Sequence, residues 1–442
     1  MMQPKPVVAM WGTMTGMRAT PLHRLGLAPL LVLICGTAAA DPLPLERGVG
    51  LHEWLNWSPL AEDGSYRRPP YTDVTGWLTQ YRPLSDWPPG NELERIRDHG
   101  FDFVRLTVDP GPLLGSEGAE RQQALAVLDE AVRQITAAGL NVVFNFHPNS
   151  QVRAFSPQGI EGPVDAPSIG AYRRMVVETA QMLVRVGIDR VAIEPFNEPA
   201  YYPCDASGGE DWQQVLTAQI NAIRAVSEDI TIIATGACGG SVTGLIDVDP
   251  TPFDDPAVLY SFHMYEPHSF THQREEGLWH AGLPWPADRG SPGAVVDFLR
   301  SAMVAKGVGP AEQDAMLRSF GGALEDYFAE GWSEAQLQAR FDAALGWATE
   351  HGIASERLFM GEFGVIALTE DGSAGAFDAD RYRYLEAARV QAEKHGIAWS
   401  LWEYSNPYGM SFIVPAGHAV PDAGLVKALG LPPALRQEPA HQ

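Results

Sequence analysis

The chain repeatedly places a glycine directly before a run of apolar residues. A glycine that ends a helix and passes straight into a buried strand is typical of alternating helices and parallel strands. Three further apolar runs, at residues 48–54, 230–236 and 258–263, bring the predicted strands to eight. The five glycine junctions are Gly100 before FDFVRL, Gly139 before LNVVFNF, Gly187 before IDRVAIEPF, Gly352 before the strand that ends LFMGEF, and Gly396 before IAWSLW.

The segments between these runs have helical periodicity. Between residues 121 and 138, apolar residues recur at helical spacing at Leu125, Leu128, Val132 and Ile135. The strands are continuously apolar, as expected when both faces of a parallel sheet are buried. Eight such units predict an α/β fold, a (β/α)8 barrel of one domain over residues 41–431. An open doubly wound sheet is the alternative, but no glycine-rich phosphate loop follows the first strand.

The two ends of the chain and one connection differ from this pattern. Basic residues precede an apolar run at 25–34, and Ala38, Ala39 and Ala40 form a small-residue cleavage pattern. Residues 1–40 are therefore predicted to be a signal peptide, with export to the periplasm or the extracellular space. Residues 432–442 are expected to form a loose tail. The connection at 264–357 is unusually long and is expected to shape a cleft.

The net charge of the chain limits the classes of molecule that it can be expected to bind. The 442 residues include 55 Asp and Glu against 31 Lys and Arg, a formal net charge of −24. This field repels nucleic acid and anionic membrane surfaces and favours a neutral substrate. The histidines lack H-E-x-x-H spacing, and the two cysteines that remain after signal cleavage cannot form a Cys-rich zinc site, so no metal is expected. No dinucleotide or nucleotide fingerprint is present, and no other cofactor is expected. We expect a monomer.

Cysteine chemistry stays open at this point. After removal of the signal peptide the chain retains two cysteines, Cys204 and Cys238. Export would allow them to form a disulfide, and two separate buried thiols are the equal alternative.

Polar residues occupy the ends of most predicted strands. In a (β/α)8 barrel the C-terminal strand ends meet at one face, where catalytic groups lie. A hydrophobic core alone would not place ionisable residues at these equivalent positions. They are Arg105, His147, Asn197, Glu198, His263, Tyr265, Glu362 and Trp402.

Four motifs give these residues a family context. IEPFNEP surrounds Glu198, SFHMYEP contains His263 and Tyr265, FMGEFG contains Glu362, and SLWEY contains Trp402. Together, and in this order, they resemble glycoside hydrolase family 5, the cellulase family, from about residue 48 to 408. The resemblance implies a retaining glycosidase.

The resemblance also implies a role for each residue. Glu198 would be the general acid/base and Glu362 the nucleophile. The substrate-binding and supporting residues would be Asn197 at the sugar 2-hydroxyl, Arg105 and Tyr265 on Glu362, His147 and His263 beside the sugar, and Trp402 as its stacking floor.

Retaining chemistry needs one protonated and one ionised carboxyl group, about 5 to 5.5 Å apart. We expect Arg105 and Tyr265 to lower the pKa of Glu362, and burial with a nearby negative charge to raise that of Glu198.

The substrate is less determined than the chemistry. Endo-acting cleavage of a β-1,4-glucan is the first expectation, and β-mannan, β-1,3-glucan or an exported bacterial polysaccharide are alternatives. A transglycosylase would use the same two glutamates, and a non-catalytic carbohydrate-binding barrel would be expected to lose one of them. A serine hydrolase is disfavoured because no G-x-S-x-G motif is present. Aromatic residues expected around the cleft are Trp54, Trp57, Tyr201, Tyr202, Trp279 and Trp285.

Overall fold

Eight parallel strands close into a barrel in the computed structural model, which describes residues 41–71, 92–199, 211–253, 255–274, 278–405, 409–413 and 421–433. Each strand pairs with its neighbour in sequence, and the last pairs with the first, with Arg47 opposite Trp399. The predicted (β/α)8 barrel is confirmed. Its strands are β1 Arg47–Leu55, β2 Phe103–Val108, β3 Asn141–Phe146, β4 Val191–Glu194, β5 Thr231–Thr235, β6 Val258–Met264, β7 Leu358–Phe363 and β8 Ala398–Leu401.

Helices cover the outside of the barrel. The longer ones are α1 Glu92–Asp98, α2 Gly118–Ala137, α3 Pro167–Val186, α4 Asp211–Arg224, α5 Pro292–Ala305, α6 Pro310–Glu330, α7 Glu334–Glu350, α8 Asp378–Lys394 and α9 Ala423–Ala428. Short helical turns lie at Gly111–Leu114, Arg153–Phe155, Pro157–Ile160, Ala237–Gly240, Val242–Ile246, His268–Thr271, Ala287–Arg289 and Ser355–Arg357. None of the helices in the described residues is long and apolar enough to cross a membrane.

Most of the buried apolar residues that the structure describes belong to two cores. The larger one lies between strands and helices, and the predicted stripe of α2 belongs to it. The smaller one fills the interior of the barrel with one side chain from each of β2 to β8, together with Leu43. Its strand residues are Phe103, Val143, Ala192, Ile233, Leu259, Phe359 and Ala398. On six of these strands a polar residue follows two positions later, whereas on β7 that position is Gly361.

The long connection between β6 and β7 is mostly helical. It contains α5, α6 and α7, and His280–Ala281 within it pairs with Ala374–Gly375 as a two-stranded sheet. Trp285 in this connection is fully buried and packs against Phe270 and Tyr384, so its expected place in the cleft is wrong. Burial of its large apolar ring in the core explains the difference.

Several sequence predictions concern residues whose structure is not described. The signal peptide at 1–40, Tyr201, Tyr202 and Cys204 lie outside the described residues, as does the tail beyond Pro433. Cys238 is disulfide-bonded, and both other cysteines of the chain, Cys35 and Cys204, lie outside the described residues. The specific pair Cys204–Cys238 therefore stays a prediction.

Candidate active site

The polar residues at the strand ends converge on one face of the barrel. The backbone amides of His147, Asn197 and Trp402 each donate to the carbonyl of the final residue of a neighbouring strand, at 2.8, 2.8 and 2.9 Å. Hydrogen bonding between neighbouring strands thus continues past the C-terminal ends of β3, β4 and β8. Because backbone bonds fix these positions, their side chains enter the site from a rigid frame.

Arg105 on β2 is the structural centre of the site. Its guanidinium is fully buried and donates to both oxygens of Glu194, at 2.7 and 3.0 Å. The same group donates to Glu362 Oε1 at 2.5 Å and to Asn197 Oδ1 at 2.6 Å. A planar guanidinium can hold several acceptors in fixed directions, which a lysine cannot.

Glu194, the last residue of β4, was not predicted as part of the site. It is fully buried, and Thr235 Oγ1 adds a third hydrogen bond to its Oε1 at 2.8 Å. A buried charge needs such partners to avoid a large desolvation cost. The sequence does contain a signal for Glu194, because an acidic residue within a buried apolar strand needs a cationic partner.

A β-bulge turns Glu362 toward Arg105. Along β6 and β7, Phe262 pairs with Met360 and His263 pairs with Glu362, so Gly361 is an extra residue in the ladder. Strict alternation from the interior residue Phe359 would direct residue 362 outward. The bulge reverses the alternation, and Glu362 contacts the buried guanidinium instead.

Both oxygens of the Glu362 carboxylate are held by donors. Arg105 occupies Oε1, and the Tyr265 hydroxyl donates to Oε2 at 2.9 Å. The side chain of Glu362 is 4% exposed. Burial raises the pKa of Glu362 above its ordinary value, although His263, Arg105 and Tyr265 oppose the shift. Complete burial outweighs the donors here, so the lowered pKa expected from the sequence is wrong.

Glu198 faces the open side of the site. Its backbone φ is 39°, in the left-handed region that side chains other than glycine rarely adopt. Its side chain is 38% exposed, and Oε1 lies 2.7 Å from His263 Nδ1. Burial raises the pKa of Glu198, but the hydrogen bond and charge of His263 lower it by more than burial raises it. The net shift is downward. The raised pKa expected from the sequence is therefore also wrong.

His263 connects the two glutamates. Its Nδ1 is 2.7 Å from Glu198 Oε1 and 3.6 Å from Glu362 Oε2. Burial lowers the pKa of His263, yet the charges of Glu362 and Glu198 raise it above its ordinary value overall. The charge of each of the three side chains therefore affects the protonation of the other two.

Aromatic rings form the floor beside the carboxylates. His147 stacks on Trp402 with ring centroids 5.4 Å apart and an interplanar angle of 14°. His52 packs against both rings and against Trp57. Burial lowers the pKa of His52 to about 3 and that of His147 well below its ordinary value, so both imidazoles are neutral. Asn197 joins this floor with Nδ2 3.4 Å from His147 Nε2.

Two buried glutamates next to this floor have no assigned role from the sequence. Glu403 follows Trp402, is fully buried, and its Oε2 accepts from the His52 amide at 3.2 Å. Glu53 on β1 is 6% exposed, and burial raises its pKa to about 8. Of the other aromatic residues expected at the cleft, Trp54 is buried in the larger core.

Among the described residues, one group has the composition of a metal site, and it lies within the cluster at the strand ends. Ligand atoms of Glu198, His263 and Glu362 all lie within 4.8 Å of one another. Each is already engaged by a protein hydrogen bond. The expectation of no metal stays a prediction.

A (β/α)8 barrel that presents two glutamates at the C-terminal ends of its strands, one fixed and buried and one open to the cleft, is the framework of an O-glycosyl hydrolase. Comparison with known proteins gives the family. The model for cellulase (glycosyl hydrolase family 5) matches residues 74–407, so the chain belongs to glycosyl hydrolase family 5.

Individual relatives are distant. Cellodextrinase A of Ruminococcus flavefaciens is 23% identical over 338 residues, which cover 74% of this chain and 82% of that protein. Endoglucanase 3 of Fibrobacter succinogenes is 24% identical over 364 residues, 77% of this chain but only 49% of that protein. Among solved structures, a hyperthermophilic endo-β-1,4-glucanase in complex with substrate has a TM-score of 0.57 at 18% identity, over 87% of this chain and 97% of that one.

Proposed function

We propose that this glycosyl hydrolase is a retaining endo-β-1,4-glucanase, with Glu362 as nucleophile and Glu198 as general acid/base. The observation that carries the proposal is the spacing of the two carboxylates, since one oxygen of each lies within 4.8 Å of the other. Retaining enzymes hold their carboxyl groups about 5 to 5.5 Å apart, whereas inverting enzymes need roughly 6.5 to 9.5 Å to admit a water.

The first step assigns the nucleophile to the fixed carboxylate. An oxygen of Glu362 attacks the anomeric carbon while the bond from that carbon to the leaving oxygen breaks. Glu198 gives its proton to the leaving oxygen and becomes a carboxylate. Arg105 and Tyr265 keep Glu362 from rotating, which removes much of the entropic cost of attack.

The second step returns both groups to their starting states. Glu198, now a carboxylate, takes a proton from a water that attacks the anomeric carbon. The ester bond to Glu362 breaks, the sugar is released with its original anomeric configuration, and Glu198 is again protonated.

The substrate itself would set the protonation that the first step requires. A sugar placed over Glu198 would exclude water from a side chain that is 38% exposed without it. This desolvation raises the pKa of Glu198 and favours its acid form. The proton that it shares with His263 can then move to the carboxylate without leaving the pair.

The floor of the site fits a neutral sugar ring. Trp402 offers a flat apolar face, and the neutral imidazoles of His52 and His147 extend it. Asn197 Oδ1 is taken by Arg105, which leaves Nδ2 to donate to a sugar hydroxyl. The formal net charge of −24 disfavours an anionic polymer.

The relatives favour a β-1,4-glucan. One is named a cellodextrinase, a second an endoglucanase, and the structure quoted above is an endo-β-1,4-glucanase. β-Mannan, β-1,3-glucan and a bacterial exopolysaccharide remain the alternatives for a test, because loops around the barrel set the outer subsites.

The test measures released reducing ends from soluble β-1,4-glucan, β-1,3-glucan and β-mannan, with Glu198→Ala and Glu362→Ala as inactive controls. We expect cleavage of the β-1,4-glucan, and proton NMR of the first product should show the β-anomer. Azide should rescue Glu198→Ala on an aryl glycoside with an activated leaving group and give the β-glycosyl azide, but it should give no such product with Glu362→Ala. An initial α-anomer would refute retention, and binding without turnover would favour a carbohydrate-binding barrel.

We also propose that the protein is exported after cleavage behind Ala40 and acts as a monomer. N-terminal sequencing of the protein from the culture medium and periplasm tests the first statement, and light scattering tests the second. An intact N-terminus in the cytoplasm or a stable dimer would contradict them.

A further inference from the structure

Ser261 on β6 is a buried polar residue that the catalytic scheme above does not use. It lies two positions after the interior residue Leu259 and two before His263, so the three side chains face the same side of the strand. Ser261 is fully buried, and its Oγ has no hydrogen-bond partner among the described residues. An unpaired buried hydroxyl is costly and calls for an explanation.

His263 carries a second unpaired atom on the same side. Its Nδ1 is hydrogen-bonded to Glu198, but its Nε2 is buried and has no hydrogen-bond partner within the described part of the chain. The two unpaired atoms therefore belong to residues that are neighbours on one face of one strand.

Gly361 shows that both atoms border the same small space. A Cβ atom at this position would lie 2.7 Å from Ser261 Oγ and 3.1 Å from His263 Nε2. Gly361 is also the extra residue of the β-bulge in β7. The absence of a side chain there keeps the space between the hydroxyl and the imidazole free.

We propose that Ser261 is a positioning residue whose hydroxyl is hydrogen-bonded to His263 Nε2 through one buried water, and that this link fixes the proton of His263 on Nδ1. A buried water that pairs two otherwise unsatisfied polar atoms is a common structural element. The inference rests on the proposed function, in which Glu198 must release and recover a proton.

The chemistry requires a partner that can both donate and accept. When Glu198 holds its proton for the leaving group, neutral His263 donates from Nδ1 to Glu198 Oε1, and Nε2 needs a donor. When Glu198 is a carboxylate and His263 is the cation, Nε2–H needs an acceptor. A serine hydroxyl and a water can reverse their direction, so they serve both states.

Other charged and titratable groups face His263 and must stay unchanged in a test. Arg105 comes from β2, His147 from the end of β3, Glu198 from the loop after β4, and Glu362 from β7. Tyr265 lies on the chain just beyond β6 itself, with its ring centroid 6.4 Å from that of His263. None of them contacts Ser261 by a hydrogen bond in the described residues.

The first experiment reads the imidazole directly and needs no substrate. Nitrogen-15 NMR of the full-length mature protein, with the His263 signals identified by their loss in His263→Asn, reports the tautomer and the pKa. We expect Nδ1 protonated and Nε2 hydrogen-bonded in the wild type. In Ser261→Ala the Nε2 shift should move and the pKa of His263 should fall by about one unit, because a bond to the cation is stronger than one to the neutral ring.

The second experiment measures the pH dependence of kcat and KM on a soluble β-glucan. Ser261→Ala should lower kcat about tenfold with KM changed less than twofold, and its alkaline limb should move to lower pH. Ser261→Thr keeps the hydroxyl, so its alkaline limb should lie at the same pH as in the wild type. Ser116→Ala removes another buried serine hydroxyl, which donates to carbonyls of the preceding helical turn at Gly111–Leu114, and should leave the profile unchanged.

The outcomes separate the two proposals. If the wild type cleaves no glycan, the proposed function fails, and the NMR result still decides the role of Ser261. If Ser261→Ala leaves both the tautomer and the pKa of His263 as in the wild type, the positioning role is refuted. Thermal unfolding of each variant shows whether a loss of activity reflects a loss of fold.

Discussion

Replacing Arg105 with Met tests whether the site depends on one buried cation. The guanidinium donates four hydrogen bonds of 3.0 Å or less, to Glu194, Glu362 and Asn197. Without it, the hydrogen bond from Thr235 is the one that the fully buried Glu194 carboxylate keeps among the described residues. Removal of one partner from a buried ion pair costs roughly 3 to 5 kcal/mol. We expect the free energy of unfolding of Arg105→Met to fall by about that amount.

A second variant separates the lost charge from the lost contacts. In Arg105→Met/Glu194→Met the uncompensated carboxylate is also gone, and apolar replacements of buried pairs are often close to neutral for stability. We expect this double variant to recover most of the unfolding free energy. Activity should stay at least about 100-fold below that of the wild type in both variants, because Arg105 no longer holds the Glu362 carboxylate in the orientation needed to attack the anomeric carbon.

Guanidinium unfolding followed by tryptophan fluorescence measures the stabilities. The control is Arg300→Met, which breaks the Arg300–Asp314 pair with both side chains nearly half exposed. Such surface pairs contribute about 0 to 1 kcal/mol. If Arg105→Met costs no more than Arg300→Met, or if the double variant is less stable than the single one, the assignment of Arg105 as the buried electrostatic centre is refuted.

Three further predictions follow from the same contacts. The pKa of Glu53 is raised to about 8 from 4.5, so the folded state binds a proton that the unfolded state lacks in this window. The free energy of unfolding of Glu53→Gln should therefore rise relative to that of the wild type by about 1.4 kcal/mol per pH unit from pH 4.5 to 8. Urea unfolding at both pH values measures this, and an equal difference between variant and wild type at the two pH values would contradict it. Trp402→Ala should raise KM about 2- to 10-fold, with Trp402→Phe in between, as measured on short β-glucan oligomers. Gly361→Ala should lower stability by about 1 to 3 kcal/mol in thermal unfolding, and by less in a Ser261→Ala background, since its Cβ would lie 2.7 Å from Ser261 Oγ; equal losses would exclude that contact.

The protonation of the site illustrates a limit of sequence reasoning. The expected contacts of Arg105 and Tyr265 with Glu362 are confirmed, but hydrogen-bond donors alone do not decide the pKa of a carboxyl group. Glu362 is almost completely buried, whereas Glu198 keeps contact with solvent and with His263. The direction of each shift depends on the balance of desolvation and charge, and exposure is a property of the assembled barrel.

Local pattern was sufficient for the architecture. All eight predicted apolar runs contain strands, because a fully buried parallel strand must be continuously apolar and its preceding helix commonly ends at a glycine. The motifs around Glu198 and Glu362 lie at the C-terminal ends of strands for the same reason. These features depend on the period and composition of short segments, which the sequence shows directly.

The contacts between those segments, and the direction and burial of their side chains, were decided by the tertiary structure alone. Glu194 is part of the site because β3 pairs with β2 on one side and with β4 on the other, which places Arg105 within hydrogen-bond distance of Glu194. Glu362 points inward because Gly361 interrupts the ladder with β6, and alternation along β7 predicts the opposite. Trp285 lies in the core and not in the cleft. Pairing register, bulges and burial arise from contacts between segments distant in the chain, so no local pattern encodes them.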